Sequence, residues 1–194
     1  MKLKGLDYLD ISSSFSEDEI MIQHSVREFV DNEAMPIIEE HFKEATFPDE
    51  LIPQFADMNL LGVNLPEEYG CGGMSHVAYG LVCQELERCD SGIRSFVSVQ
   101  GSLVMFPIFA YGSEEQKKKW LPKLASGEAI GCFGLTEPDY GSNAAGMVTT
   151  ATKKDGGYIL NGAKMWITNG TLAQVAIVWA KLDGVIRGFI VEKD

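Results

Sequence analysis

The segment GCFGLTEPDYGSN, residues 131–143, gathers groups better suited to gripping a ligand than to building a core. Thr136 and Ser142 carry hydroxyls, Pro138 fixes a corner, and Gly134 and Gly141 leave backbone amides open to close approach. Such groups can hold a heteroaromatic edge and a phosphate, although ordinary turns use the same residue types. A second stretch, NGAKMWITNG at 161–170, carries Trp166, Ile167 and Thr168. Most strand tryptophans fill a core, so the alternative to a ligand wall here is a buried indole. The third feature is Arg94, the one charged side chain between Ser91 and Ser113, set among Ile93, Phe96 and Val97. A guanidinium in such surroundings needs an anion, because burial without one costs several kcal/mol. One source is local, Asp90 or Glu87. The other is a ligand carboxylate held by a forked contact from Arg94 with the Ser95 hydroxyl, while Glu87 tunes the pocket.

Two kinds of element must position these groups. Ser16 with Glu19 forms a capping box that opens a helix, and Pro36 is expected to kink or split it. Further helices are expected over 49–60, closed by Gly62, over 75–89 and over 92–111. Ser113 with Gln116 caps a fifth, whose QKKKW face reads as a solvated surface. After ASGEA at 125–129 the hydrophobic period changes from helical to two. MVTTATKK, GYIL, AKMWIT, AQVAIVWAKL and VIRGFIVEK then read as strands, and Phe133 and Leu135 alternate with small residues like a buried strand. The pairs DG at 155–156 and NG at 161–162 are hairpin signals. An all-α domain over 1–128 is therefore expected to precede an incomplete β-sheet or barrel domain over 129–194. The last strand offers an edge, so a missing remainder or a partner chain is expected.

Composition limits the function classes. A net charge of -12 argues against a nucleic-acid surface. Cys71, Cys83, Cys89 and Cys132 lack any CxxC spacing and read as reduced thiols of a cytoplasm-like compartment. His24, His41 and His76 lie far apart, so no metal site is expected. The apolar run 95–113 is interrupted by Gln100, Gly101 and Pro107 and reads as a buried helix rather than a membrane span. The opening MKLKGLDYLD lacks the apolar stretch of a secretory or transit peptide, which leaves a cytoplasmic location as the expectation, or the mitochondrial matrix in a eukaryote.

GLTEPDYGSN followed by LNGAKMWITNG resembles the acyl-CoA dehydrogenase family, and LPEEYGCGG, ELERCDSG and YGSEEQKKKWLPKLASGE fall in that family's order. The resemblance implies an all-α N-terminal domain, a β middle domain, a missing C-terminal four-helix domain, and bound FAD. It places 133–142, including Phe133, Gly134 and Gly141, against flavin and pyrophosphate. Leu135 and Thr136 fall at the isoalloxazine, and Ser142 at the phosphate and acyl-CoA side. Trp166, Ile167 and Thr168 cover the other flavin side. Asn143 replaces a common aspartate, and Asp139 with Tyr140 replaces a smaller pair. ELERCDSGIRSFVSVQGSLVM resembles the glutaryl-CoA dehydrogenase branch, in which substrate choice is read from this helical wall.

The resemblance implies α,β-dehydrogenation of an acyl-CoA thioester, with glutaryl-CoA giving crotonyl-CoA and CO2. It further implies an electron-transfer flavoprotein as acceptor, and either a homo-oligomer or a second chain that supplies the C-terminal domain. The family's base is a glutamate of that C-terminal domain, so no catalytic residue is assigned within the chain, and Glu137 belongs to the flavin loop. Two other readings stay open at this point: a non-catalytic flavin- or acyl-CoA-binding fragment, and a mono-acyl-CoA dehydrogenase.

Overall fold

A computed structural model describes Asp7 and residues 9–193. Most of the opening MKLKGLDYLD stretch therefore lies outside the described residues. The helical part comprises α1 (Glu17–Phe29), α2 (Met35–Glu44), α3 (Ile52–Asp57), α4 (His76–Cys89), α5 (Ser91–Ser98), α6 (Phe106–Tyr111) and α7 (Glu114–Ala125). The capping boxes of α1 and α7 form as their sequences dictate, each closed reciprocally by Glu19 or Gln116.

Proline acts differently from expectation. The helix is not broken at Pro36, because a π-helical segment, Val30–Ala34, runs into α2 and puts Pro36 in its first turn. The same device recurs where the π segment Val99–Met105 leads into α6 and Pro107. An extra residue per turn makes room for the ring and its missing N–H. The expected 49–60 helix is shorter, since Asn59 takes a left-handed φ of 57 and ends α3 early. The stretch Ser91–Tyr111 is apolar and long enough to cross a membrane, yet half of it is buried inside the protein. Phe96, Val97, Val104, Met105 and Ile108 pack into the core.

The sheet is built around β4 (Val175–Leu182). Along one side, β1 (Gly131–Gly134) pairs parallel with its start, and β2 (Thr150–Lys154) pairs parallel with its end. Along the other, β5 (Val185–Glu192) runs antiparallel over the full length, from Val175↔Glu192 to Leu182↔Val185. A hairpin joins β2 to β3 (Gly157–Asn161). Two sequence expectations fail here. AKMWIT forms no strand, and Asn161 with Gly162 makes no hairpin; residues 162–173 are an irregular loop. Its backbone is fixed by single bonds to other segments, so its β-rich composition reflects packing against a wall rather than a ladder.

The helical and sheet parts meet at Gln100, which is fully buried within the second π segment. Its Nε2 donates to the carbonyls of Leu124 and Ala129, both at 2.9 Å, and its Oε1 accepts from Gly131 N at 2.8 Å. Gly131 permits the approach: a Cβ there would lie 2.4 Å from Val104 Cγ1. A satisfied buried amide of this kind fixes register. Strand β1 thus starts where the helix wall dictates.

Candidate functional site

At the end of β1 the chain turns through Leu135, Thr136 and Glu137. Opposite lies the 162–173 loop, which Met165 N ties to Thr136 O at 2.9 Å. Between them opens a recess of about 350 Å3, lined by Phe133, Leu135, Thr136, Trp166, Ile167 and Thr168 and backed by Val99 and Leu103 of the helix wall. Trp166 decides its character. The indole is 86% exposed rather than buried, so the core-filling alternative is excluded. Its φ of 60 is an outlier for a bulky side chain, and burial does not compensate for it. An aromatic plane held out beside two threonine hydroxyls is a surface for stacking a flat heteroaromatic ring.

Other predicted residues are placed elsewhere. Gly134 is buried in β1, where a Cβ would meet Lys164 Cγ at 3.4 Å, so it supports the wall rather than lining the recess. Gly141 and Ser142 are exposed on the following loop, beyond the Glu137↔Tyr140 bridge. A second recess of about 390 Å3 joins Ser95 to Thr168 and Asn169, so Thr168 borders both.

Arg94 and Ser95 point to different neighbours in the structure. Arg94 Nε donates to Glu87 Oε2 at 2.5 Å, and its NH1 reaches Ser98 Oγ at 3.5 Å. One helical turn separates residues 94 and 98, whereas adjacent residues point about 100° apart, so Ser95 faces the loop and Ser98 faces the guanidinium. Nor is Arg94 isolated: the side chains of the pair are 34% and 48% exposed. The Glu87 contact raises the Arg94 pKa, against a smaller opposing effect of burial. Asp90 is engaged differently, capping α5 by accepting from Gly92 N and Ile93 N. Behind Arg94, burial pushes the Tyr79 phenol up to about 12, and Ser102 Oγ donates to its oxygen at 2.7 Å.

Glu137 is the buried carboxylate of the site, with a side chain 1% exposed. It accepts from Val148 N at 2.7 Å, Thr149 N at 3.0 Å and Lys164 Nζ at 2.8 Å. Burial pushes its pKa up, but the bonds from Lys164, Thr149 and the backbone outweigh that and bring it down to about 2. An encased carboxylate this acidic is a poor proton acceptor near neutrality. Lys164, Asn169 and Gln100 were missed as site residues in the sequence reading. Only a lysine and an asparagine flanking the WIT run, and one glutamine in an apolar helix, mark them.

Fold and recess together define a family. Residues 16–128 match the acyl-CoA dehydrogenase N-terminal domain and residues 132–194 its middle domain, so the chain belongs to the acyl-CoA dehydrogenase family. It is similar to a glutaryl-CoA dehydrogenase of Mycobacterium smegmatis solved in complex with FADH2, at 57% identity and a TM-score of 0.92 over 96% of this chain and 48% of that one. It is 40% identical to an acyl-CoA dehydrogenase of Bacillus subtilis (strain 168) over 92% of this chain and 48% of that protein. It is 36% identical to the human mitochondrial short-chain specific acyl-CoA dehydrogenase over 91% of this chain and 43% of that protein. The chain thus spans about half the length of the relatives it matches.

Proposed function

We propose that this chain forms the helical and sheet half of an FAD-dependent acyl-CoA dehydrogenase that oxidises the Cα–Cβ bond of glutaryl-CoA, with loss of CO2 to give crotonyl-CoA. The observation that carries the reading is the exposed, left-handed Trp166, which with Ile167 and Thr168 lines one wall of an apolar recess whose other wall carries Phe133, Leu135 and Thr136. The residues present fit a flavin: an indole plane for the ring face, hydroxyls for its polar edge, and Leu135 and Ile167 to exclude water. When bound, FAD supplies the acceptor for the hydride that leaves Cβ.

The chain's own residues bind and orient. Phe133, Leu135 and Thr136 hold one side of the ring, and Trp166, Ile167 and Thr168 the other. Ser142 and the Gly141 amide serve the phosphate and acyl-CoA side. Arg94, steadied by Glu87, takes the distal carboxylate, with Ser95 at the neighbouring recess. Glu87 and Glu137 are both engaged with cations and are not assigned as the base. The family resemblance implies that the α-proton acceptor is a glutamate outside these 194 residues. We assign electron-transfer flavoprotein as the acceptor of the electrons.

The Arg94–Glu87 pair also favours a second reading, an uncharged short acyl chain, because the guanidinium already has its anion. A chimera decides between them, with this chain completed by the C-terminal part of the M. smegmatis homologue. Anaerobic addition of glutaryl-CoA should bleach its flavin and release CO2. Bleaching by butyryl-CoA alone would favour the second reading, and bleaching by neither would overturn both.

A further inference from the structure

We propose that the buried Glu137–Lys164 pair is the positioning device of the recess, locking the end of β1 to the loop that carries Trp166 and thereby holding that indole in place. Three chain segments converge on this pair. Lys164 Nζ donates to Leu135 O at 3.0 Å and to Glu137 Oε1 at 2.8 Å, while Glu137 gathers the N–H groups of Val148 and Thr149 at the approach to β2. Lys164 and Glu137 side chains are 11% and 1% exposed, so water contributes little to satisfying either charge. The loop runs so close to Thr149 that a Cβ at Gly162 would sit 2.3 Å from its Oγ1.

Trp166 follows two residues after Lys164. Three residues further on, Asn169, also left-handed with a φ of 65, donates from Nδ2 to Phe96 O and Gly131 O, both at 3.3 Å. The indole therefore stands between two anchors, Lys164 on the turn that follows β1 and Asn169 on the helix wall and the start of β1. Its exposure and its φ show no local gain that would keep it there. The anchors impose the conformation, and Lys164 supplies the charged side-chain tie between the recess walls, beside the Met165 N–Thr136 O backbone bond.

The functional meaning of this inference rests on the flavin reading, but its test does not require flavin. The full 194-residue chain is labelled with 5-fluorotryptophan, and its 19F spectrum and amide hydrogen exchange are recorded for the parent, Lys164→Met and Glu137→Gln/Lys164→Met. Lys164→Met leaves a buried carboxylate alone and loses stability, whereas the double variant removes both charges and should regain most of it. Positioning should not recover. In both variants the Met165 amide should exchange about tenfold faster or more while β4 stays protected, and the Trp166 resonance should move while those of Trp120 and Trp179 do not.

An unmoved Trp166 resonance with unchanged Met165 exchange in the folded double variant would overturn the proposal. So would equal acceleration across β4, the mark of a purely structural pair. Should Lys164→Met fail to fold, the double variant alone decides. Failure of the completed chimera to take up FAD would count against the flavin reading and leave this result standing.

Discussion

Gln100 Oε1 accepts the Gly131 backbone N–H at 2.8 Å, and through that bond a fully buried helix side chain sets where the first strand begins. Gln100→Leu keeps the volume roughly but strands Gly131 N and the carbonyls of Leu124 and Ala129 without that partner. Unmet buried groups cost about 1–3 kcal/mol each, so urea unfolding should show a loss of about 3 kcal/mol or more. A loss below about 1 kcal/mol would mean the amide does not fix the junction.

Glu137 predicts the acid behaviour of the fold. Its folded pKa of about 2 lies below the ordinary value of 4.5, so the stability it contributes is present above 4.5 and is lost as pH falls toward 2. The shift corresponds to about 3 kcal/mol across that window. Urea midpoints measured from pH 5 to pH 2 should fall steeply in the parent, and Glu137→Gln should remove that part of the slope. Parallel profiles would show that the folded pKa of Glu137 is not depressed below its unfolded value.

The elements legible in the sequence are those whose signals are local. Ser16 with Glu19 and Ser113 with Gln116 are reciprocal caps three residues apart, and the change of period near residue 130 marks a true change from helix to sheet. What failed depended on distance. AKMWIT carries strand-like residues, but Lys164 and Met165 bond to Glu137 and Thr136, and the Asn169 that follows bonds to Phe96 and Gly131, with side-chain bonds spanning between 27 and 73 residues. The Asp183-Gly184 turn between β4 and β5 has the same local signal as the one at 155–156, and the break between AQVAIVWAKL and VIRGFIVEK falls on it. Of the two local anions open to Arg94 in the sequence, Glu87 is the one that holds it, seven residues earlier on the preceding helix, while Asp90 caps α5; that choice depends on how two helices meet.

For the substrate, the chimera with Arg94→Met should lose about ten- to a hundredfold of its preference for glutaryl-CoA over butyryl-CoA in kcat/KM, less than a fully buried pair would cost because the guanidinium is one-third exposed. An unchanged ratio would remove Arg94 from the substrate site and favour the uncharged acyl chain.

Thr136→Val with Thr168→Val keeps side-chain shape while deleting two hydroxyls at the recess. Hydrogen bonds of this type contribute about 0.5–1.5 kcal/mol each, so the doubly substituted chimera should hold FAD about five- to a hundredfold more weakly at an unchanged melting temperature. Equal flavin content in parent and variant after dialysis would exclude these hydroxyls as contacts.

The central claim is that flavin lies against Trp166 in the recess between the end of β1 and the 162–173 loop. It is tested most directly by titrating the 5-fluorotryptophan-labelled chain with excess FAD and following its three 19F resonances, with Trp166 assigned from Trp166→Phe. Ring stacking shifts a nearby nucleus even when binding is weak. The resonance of Trp166 should move with FAD while those of buried Trp120 and half-buried Trp179 remain in place. A stationary Trp166, whether the other two move or not, would contradict the assignment.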